Sequence, residues 1–168
     1  FELLKETKGP VIRDFPISIN ATVSEPLHCA LPVRLNPDLH PAVDEAQALR
    51  AAYERALEKT KKTSVGMRIG AVDIPDALAK FAQIAEGEHW ETLGFSAESI
   101  YGTVHDIRSY YEELACELAE APIAPWATEQ WFYEQTEAGD VVLRARRAMR
   151  DKQVAQEVWF GLAPAGRE

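Results

Sequence analysis

The chain has 168 residues, of which 46% are hydrophobic and 27% charged, and its formal net charge is −9 with a pI near 5.0. This length fits one domain, and the apolar content is sufficient for an ordinary core. An acidic surface repels phosphate backbones, which excludes general nucleic-acid binding unless a basic patch is strongly local. Since no apolar run approaches the roughly 20 residues that span a bilayer, we expect no membrane partner. The expected partners are a protein or a small molecule.

The first 41 residues predict an extended arm. They contain six of the ten prolines, and proline fixes φ and removes a backbone hydrogen-bond donor. Short apolar pieces between the prolines suit extended segments that lie against a surface. Residues 42–164 are then expected to form a single globular domain.

Two amphipathic helices are predicted after the arm. Small and apolar residues spaced three and four apart from Pro41 onward predict a helix that ends near residues 59–62, where lysines suit the negative end of the helix dipole. A second helix is predicted to follow Asp73, and Gly87 is expected to end it.

The clearest predicted helix begins after Ser96, whose side chain suits an N-cap. Its large apolar residues recur at alternating steps of four and three, the pattern of a packing seam; they are Ile100, Val104, Ile107, Tyr111, Leu114 and Leu118. We therefore expect this helix to lie at the centre of the core, and Pro122 and Pro125 to close it.

The C-terminal third allows two interpretations. Residues 126–138 and 140–160 contain many strong helix formers, and Asp140 suits an N-cap. The same stretch also fits an antiparallel β-meander from about 128 to 163. Arginine, alanine, methionine and glutamine are poor strand formers, so the composition favours helix. The predicted fold is mostly α, a bundle of four to five helices behind the Pro-rich arm, with an α+β fold as the alternative.

Three residues are candidates for metal binding or catalysis. Glu86 and His89 have the Glu-x-x-His spacing that places a carboxylate and an imidazole on one helix face, as carboxylate-bridged metal bundles require. His105 is expected beside the buried seam, where it could titrate near neutral pH or join His89 at a metal. Such bundles need a second pair and further glutamates, so a polar helix end is the competing interpretation. The sequence identifies no cofactor.

Candidate ligand-binding residues lie near the C-terminus. Trp126, Trp131 and Tyr133 concentrate aromatic area that could line a pocket, although ordinary core packing is the competing interpretation. Arg147 belongs to a basic cluster that spans residues 144–152 and could bind a phosphate-bearing ligand, or could form a solvated face.

The two cysteines, Cys29 and Cys116, form no CxxC motif and are expected to be free thiols in a reducing, cytoplasmic compartment. Glu112 and Glu113 lie one helical turn before Cys116 and should raise its pKa, which makes it a poor nucleophile.

The leading functional hypothesis is an accessory or protein-interaction subunit of a homo- or hetero-oligomer. An extended arm with regularly placed apolar groups loses much conformational entropy unless it docks on a surface, which another subunit could provide. The alternative is a small-molecule-binding protein or metal-dependent enzyme with a pocket between helices. Whether the chain catalyses a reaction stays open at this stage.

Overall fold

The computed structural model describes Lys5, Leu27 and residues 29–119, 123–124 and 126–167. This part of the chain is mostly helical and contains no strand, so the helical prediction is confirmed and the β-meander is wrong. Its six α-helices are α1 (Pro41–Thr60), α2 (Ile74–Glu86), α3 (Ala97–Leu118), α4 (Ala127–Gln135), α5 (Glu137–Asp151) and α6 (Gln156–Trp159). Short 3-10 segments, Ala71–Asp73 and Phe160–Leu162, precede α2 and follow α6. Most of the predicted arm, with Pro122 and Pro125, lies outside the described residues.

Three of the predicted helix ends are confirmed by their capping geometry. Pro41 occupies the start of α1, and the preceding His40 side chain accepts a hydrogen bond from the backbone. Gly87 ends α2 with φ 111°, a left-handed conformation that glycine adopts without steric cost. Ser96 caps α3 by accepting a hydrogen bond from the backbone N–H of Ser99. Among the described helices, none combines the length and apolar character needed to cross a bilayer.

The start of α5 differs from the prediction that Asp140 is its N-cap. Thr136 is the N-cap, and its hydroxyl oxygen accepts a hydrogen bond from Gly139 N–H at 2.9 Å. Gly139 therefore lies in the first helical turn, where α4 and α5 meet so closely that a Cβ would lie 1.9 Å from the Phe132 carbonyl oxygen. The helical stretch predicted over residues 140–160 is divided: α5 ends at Asp151, and α6 is a separate short helix.

The buried seam of α3 is at the centre of the core, as its spacing predicts. Ile100, Ile107 and Leu114 are fully buried, and the helix contacts α1, α2, α4 and α6. Tyr110, next to the seam, donates a hydrogen bond to the Ala46 carbonyl of α1 at 3.0 Å. Fully burying a large apolar side chain contributes about 1.5 to 3 kcal/mol before entropy is subtracted. The α3 seam is thus a principal source of stability.

Three buried carboxylates on the helices bind backbone N–H groups of other segments. Asp44 and Glu45 lie in the first turns of α1, and Asp106 lies in the middle of α3; each is at most 8% exposed. Each accepts backbone N–H groups from another segment, namely residues 35–36 for Asp44, residues 137–138 for Glu45 and residues 66–69 for Asp106. These contacts fix the described end of the arm, the start of α5 and the loop before α2.

Candidate functional site

The candidates for metal binding lie on different elements. Glu86 and His89 are exposed around the end of α2, where His89 Nδ1 lies 3.7 Å from a carboxylate oxygen of Glu91. His105 lies on α3, and its buried Nδ1 has no hydrogen-bond partner within the described residues and is 3.7 Å from the Asp106 carboxylate. The described part of the chain contains no group of three or more His, Cys, Asp or Glu side chains that could hold a metal ion.

The three aromatic ligand-binding candidates are divided between surface and core. Trp126 is 76% exposed just before α4 and has φ 67°, which is unusual for a bulky side chain. Trp131 and Tyr133 are buried. The Tyr133 hydroxyl donates a hydrogen bond to the Leu162 carbonyl at 3.2 Å, which joins α4 to the C-terminal segment. Core packing accounts for two of the three residues.

The basic cluster on α5 has its side chains in different environments. Arg144 forms an ion pair with Asp140 at 2.8 Å. Arg146 is buried and donates a hydrogen bond to the Arg167 carbonyl. Arg147 is half-buried and has no ion pair or hydrogen bond with another described residue. The arginines therefore do not converge on one point, and Arg147 is the one whose side chain makes no ion pair or hydrogen bond with the described part of the chain.

A stripe on the outer face of α3 faces away from the core seam. Its members are spaced three and four residues apart and are exposed or half-buried; this outer stripe comprises Glu98, Tyr101, His105, Arg108 and Glu112. Glu98 forms an ion pair with Arg68, and Arg108 forms ion pairs with Glu112 and Glu129. The stripe therefore carries an aromatic side chain and charges of both signs along one helix.

A groove of about 130 Å³ runs beside the outer stripe. Its walls come from Tyr101, His105 and Arg108 on α3 and from Gly161 in the C-terminal segment. The Tyr101 ring lies so close to Gly161 that a Cβ there would come within 2.9 Å of the ring. Tyr101 is nevertheless 52% exposed, and the adjacent Phe160 is 46% exposed. Exposed aromatics beside a groove are typical of protein interfaces.

A larger pocket lies between the C-terminal part of α1, the following loop and the C-terminal part of α3. This α1–α3 pocket has a volume of about 380 Å³ and is lined by Ala56, Leu57, Thr60, Lys62, Thr63, Ser64, Glu113, Cys116 and Glu117. Pockets that bind small molecules generally have volumes of about 300 to 1,000 Å³. The volume is therefore sufficient for a small ligand.

Hydrogen bonds hold the loop wall of the α1–α3 pocket in place. Glu113 accepts hydrogen bonds from the Thr63 hydroxyl at 2.8 Å and from the Ser64 backbone N–H at 2.5 Å. The Thr63 hydroxyl also lies 2.7 Å from the Tyr53 hydroxyl. Farther along the loop, Asp106 accepts four backbone N–H groups at 2.7 to 2.9 Å. The wall is thus preformed, which lowers the entropic cost of binding a ligand.

The charged groups of the α1–α3 pocket are only partly paired. The Glu117 carboxylate pairs with Lys59 at 2.9 Å. The Glu113 carboxylate binds neutral donors and no cation of the described chain, and the Lys62 ammonium has no partner among the described residues. Among the residues that the structure describes, the Glu113 carboxylate and the Lys62 ammonium therefore each lack a paired counter-ion.

The Cys116 thiol in this pocket is mainly in its neutral form near pH 7. Burial raises its pKa, and the nearby Glu112 and Glu113 carboxylates raise it further, which confirms the expected effect of the glutamates. Cys29 is buried against α3. Its pKa is raised as well, mainly by burial and to a smaller extent by the nearby Cys116. Neither cysteine has the depressed pKa of a nucleophilic thiol.

Comparison of the chain with protein-family models, with curated proteins and with solved structures gives no match.

Sequence reasoning did not identify the α1–α3 pocket, although its residues carried a partial signal. Glu113 and Glu117 are spaced as expected for a solvated helix face, and only the fold shows that the loop after α1 returns to them. Thr60, Thr63 and Ser64 form a cluster of hydroxyl groups between two helices, which is typical of a loop and of many binding sites alike.

Proposed function

We propose that this chain is a protein-interaction subunit that associates with a second copy of itself through the outer stripe of α3. The observation that carries the proposal is the exposed Tyr101 beside the groove. A large aromatic residue that is half-exposed next to a concave surface is a typical interface hot spot, because its burial removes much apolar area from water at little entropic cost.

The order of residues in the outer stripe supports a symmetric partner. In a two-fold contact between antiparallel α3 helices, residues at equal distances on either side of the axis meet. An axis at the level of residue 103 would bring Tyr101 against His105 of the second copy. The same axis would bring Glu98 against Arg108, so that opposite charges meet at both ends of the contact.

The groove is large enough for part of the side chain that this arrangement would insert. It has a volume of about 130 Å³ beside His105 and is open on one side, so one edge of an aromatic ring can lie in it while the rest lies at the rim. The Tyr101 ring of each copy would enter the groove of the other. Phe160 next to the groove would add apolar contact area to the rim.

The test is the molar mass of the full chain in solution over a range of concentrations, measured by light scattering and sedimentation. We expect a reversible dimer. Tyr101→Ala should weaken dimerisation about 30-fold or more, as is usual for an interface hot spot that contributes at least about 2 kcal/mol. Glu98→Arg should also weaken it, because it would place two cations opposite each other.

Val72→Ala is the matched control, because Val72 is 67% exposed but belongs to the short 3-10 segment before α2 and not to the outer stripe. This variant should dimerise as the original chain does. A chain that stays monomeric at high concentration would refute the proposal of a second copy and would favour a hetero-oligomer instead. Deletion of residues 1–26 distinguishes the arm from the stripe, since a dimer held by α3 should survive the deletion.

A further inference from the structure

We propose that the α1–α3 pocket binds a small zwitterion with an apolar side chain, of the α-amino acid class. This inference concerns a site at the C-terminal part of α3 and goes beyond the proposed association through the outer stripe. The pocket has a volume suited to a small ligand, a preformed loop wall, and charges of both signs that lack a counter-ion within the described residues.

The charges select the class of ligand. An uncompensated carboxylate at Glu113 favours an ammonium group, and an uncompensated ammonium at Lys62 favours a carboxylate, so one ligand with both groups satisfies both residues. A simple anion or a simple cation would leave one of the two protein charges without a partner. The neighbouring Ser64 hydroxyl can supply a further hydrogen bond to either end of the ligand. The Thr60 hydroxyl already donates to the backbone carbonyls of Ala56 and Lys62 and can therefore only accept a hydrogen bond from the ammonium end.

The remaining walls select an apolar side chain. Ala56 and Leu57 belong to α1 and present aliphatic groups to the pocket, and Ala56 is buried. Cys116 adds a thiol that stays protonated near pH 7 and is therefore a weakly polar wall. An aliphatic side chain that contacts these groups is removed from water, which favours binding.

Cys116 provides a direct readout of occupancy, because it is the exposed thiol within the pocket wall. The experiment follows alkylation of the full chain by iodoacetamide at about pH 8, where part of a raised-pKa thiol ionises. Mass spectrometry of the peptides gives separate rates for Cys116 and for the buried Cys29, which serves as an internal control. The probes are leucine, 3-methylbutylamine without the carboxylate, and 4-methylpentanoate without the amine.

We expect leucine to slow the alkylation of Cys116 and leave the rate at Cys29 unchanged. Each of the two singly charged probes should need a concentration about tenfold higher for the same protection, which corresponds to the loss of one charged contact. Absence of protection by leucine, or equal protection by all three probes, would overturn the proposal.

Two substitutions assign the contacts. Lys62→Met should raise the half-protecting concentration of leucine about tenfold and leave that of 3-methylbutylamine unchanged, because the amine has no carboxylate for Lys62 to bind. Glu113→Gln should likewise raise the half-protecting concentration of leucine about tenfold but leave that of 4-methylpentanoate unchanged, because this probe has no ammonium group for Glu113 to bind. Lys61→Met is the matched control, because Lys61 is an adjacent exposed lysine that does not line the pocket. An equal effect of Lys61→Met and Lys62→Met would contradict the assignment, whatever the oligomeric state of the chain.

Discussion

Replacement of Asp106 by asparagine is the most direct test of how the loop before α2 is held. The Asp106 carboxylate is fully buried, and each oxygen accepts two backbone N–H groups, those of Gly66 and Met67 at one oxygen and those of Arg68 and Ile69 at the other. Asparagine keeps one acceptor oxygen but presents an NH₂ group at the other position. Two backbone N–H groups would then face the side-chain NH₂ group, which is itself a hydrogen-bond donor.

The expected cost follows from those two donors. A buried donor that loses its acceptor costs about 1 to 3 kcal/mol, so two such groups could cost about 2 to 6 kcal/mol. The loop is largely exposed, and its N–H groups could reach water after a small movement. We therefore expect a loss of about 2 to 4 kcal/mol, which for a chain of this size lowers Tm by about 5 to 12 °C. Urea and thermal unfolding followed by circular dichroism measure both values.

The pH dependence gives a second, independent result for the same variant. Burial alone would raise the pKa of Asp106, but hydrogen bonds from four backbone N–H groups lower it below its usual value. A depressed pKa means that the carboxylate stabilises the fold above the unfolded pKa of about 3.9 and loses this contribution as the pH falls through the folded pKa. Asp106→Asn should therefore lose less stability than the original chain on acidification below about pH 4.

Asp140→Asn is the control for Asp106→Asn. Asp140 is a surface residue that pairs with Arg144, and exposed ion pairs contribute about 0 to 1 kcal/mol. If Asp106→Asn costs no more than this control, or loses stability in acid as steeply as the original chain does, the four backbone hydrogen bonds to Asp106 do not hold the loop.

Two further predictions concern Glu45 and the glycines. Burial raises the pKa of Glu45 despite its backbone hydrogen bonds. The contribution of Glu45 to the free energy of unfolding therefore falls as the pH rises from the unfolded pKa of about 4.3 through the folded pKa. In urea titrations the destabilisation by Glu45→Gln should be smaller at pH 7 than at pH 4, and a larger destabilisation at pH 7 would contradict this sign. Gly139→Ala should cost about 3 kcal/mol or more, because its Cβ would lie 1.9 Å from the backbone carbonyl oxygen of Phe132. Gly102→Ala should cost less than Gly139→Ala, because its Cβ would lie 2.3 Å from Cγ of the Arg68 side chain, which can rotate away if it gives up its ion pair with Glu98. Similar losses of unfolding free energy in both variants would contradict this difference in packing.

The sequence was sufficient to predict those features of the fold that depend on local periodicity and capping. The seam of α3 and the caps at Ser96 and Gly87 depend on neighbouring residues, and the structure confirms them. The predicted start of α5 is wrong by about one turn, because Asp140 is as good a local N-cap residue as Thr136. The choice is made by the tight contact of Gly139 with α4, and a single-sequence pattern contains no information on such a contact.

The candidate sites were less predictable, because their partners come from distant segments. The spacing of Glu86 and His89 is a local signal, and the described chain brings no third metal ligand to them. The spacing of Glu113 on α3 is also typical of a solvated helix face, yet the loop after α1 lies against this residue. A contact of this kind depends on the path of the loop, which is determined by the packing of α1 against α3.

The positions of Asp106 and Glu113 on α3 explain why the two candidate surfaces can coexist on one helix. They are seven residues apart, which is two turns of an α-helix, and so they share one face. Both bind the loop, Asp106 through residues 66–69 and Glu113 through Thr63 and Ser64. Successive residues of an α-helix are rotated by about 100° around its axis. Asp106 therefore lies between Ile107, which belongs to the core seam, and His105, which belongs to the outer stripe. The loop can therefore form the wall of the α1–α3 pocket while Tyr101 and its groove stay accessible to a second chain.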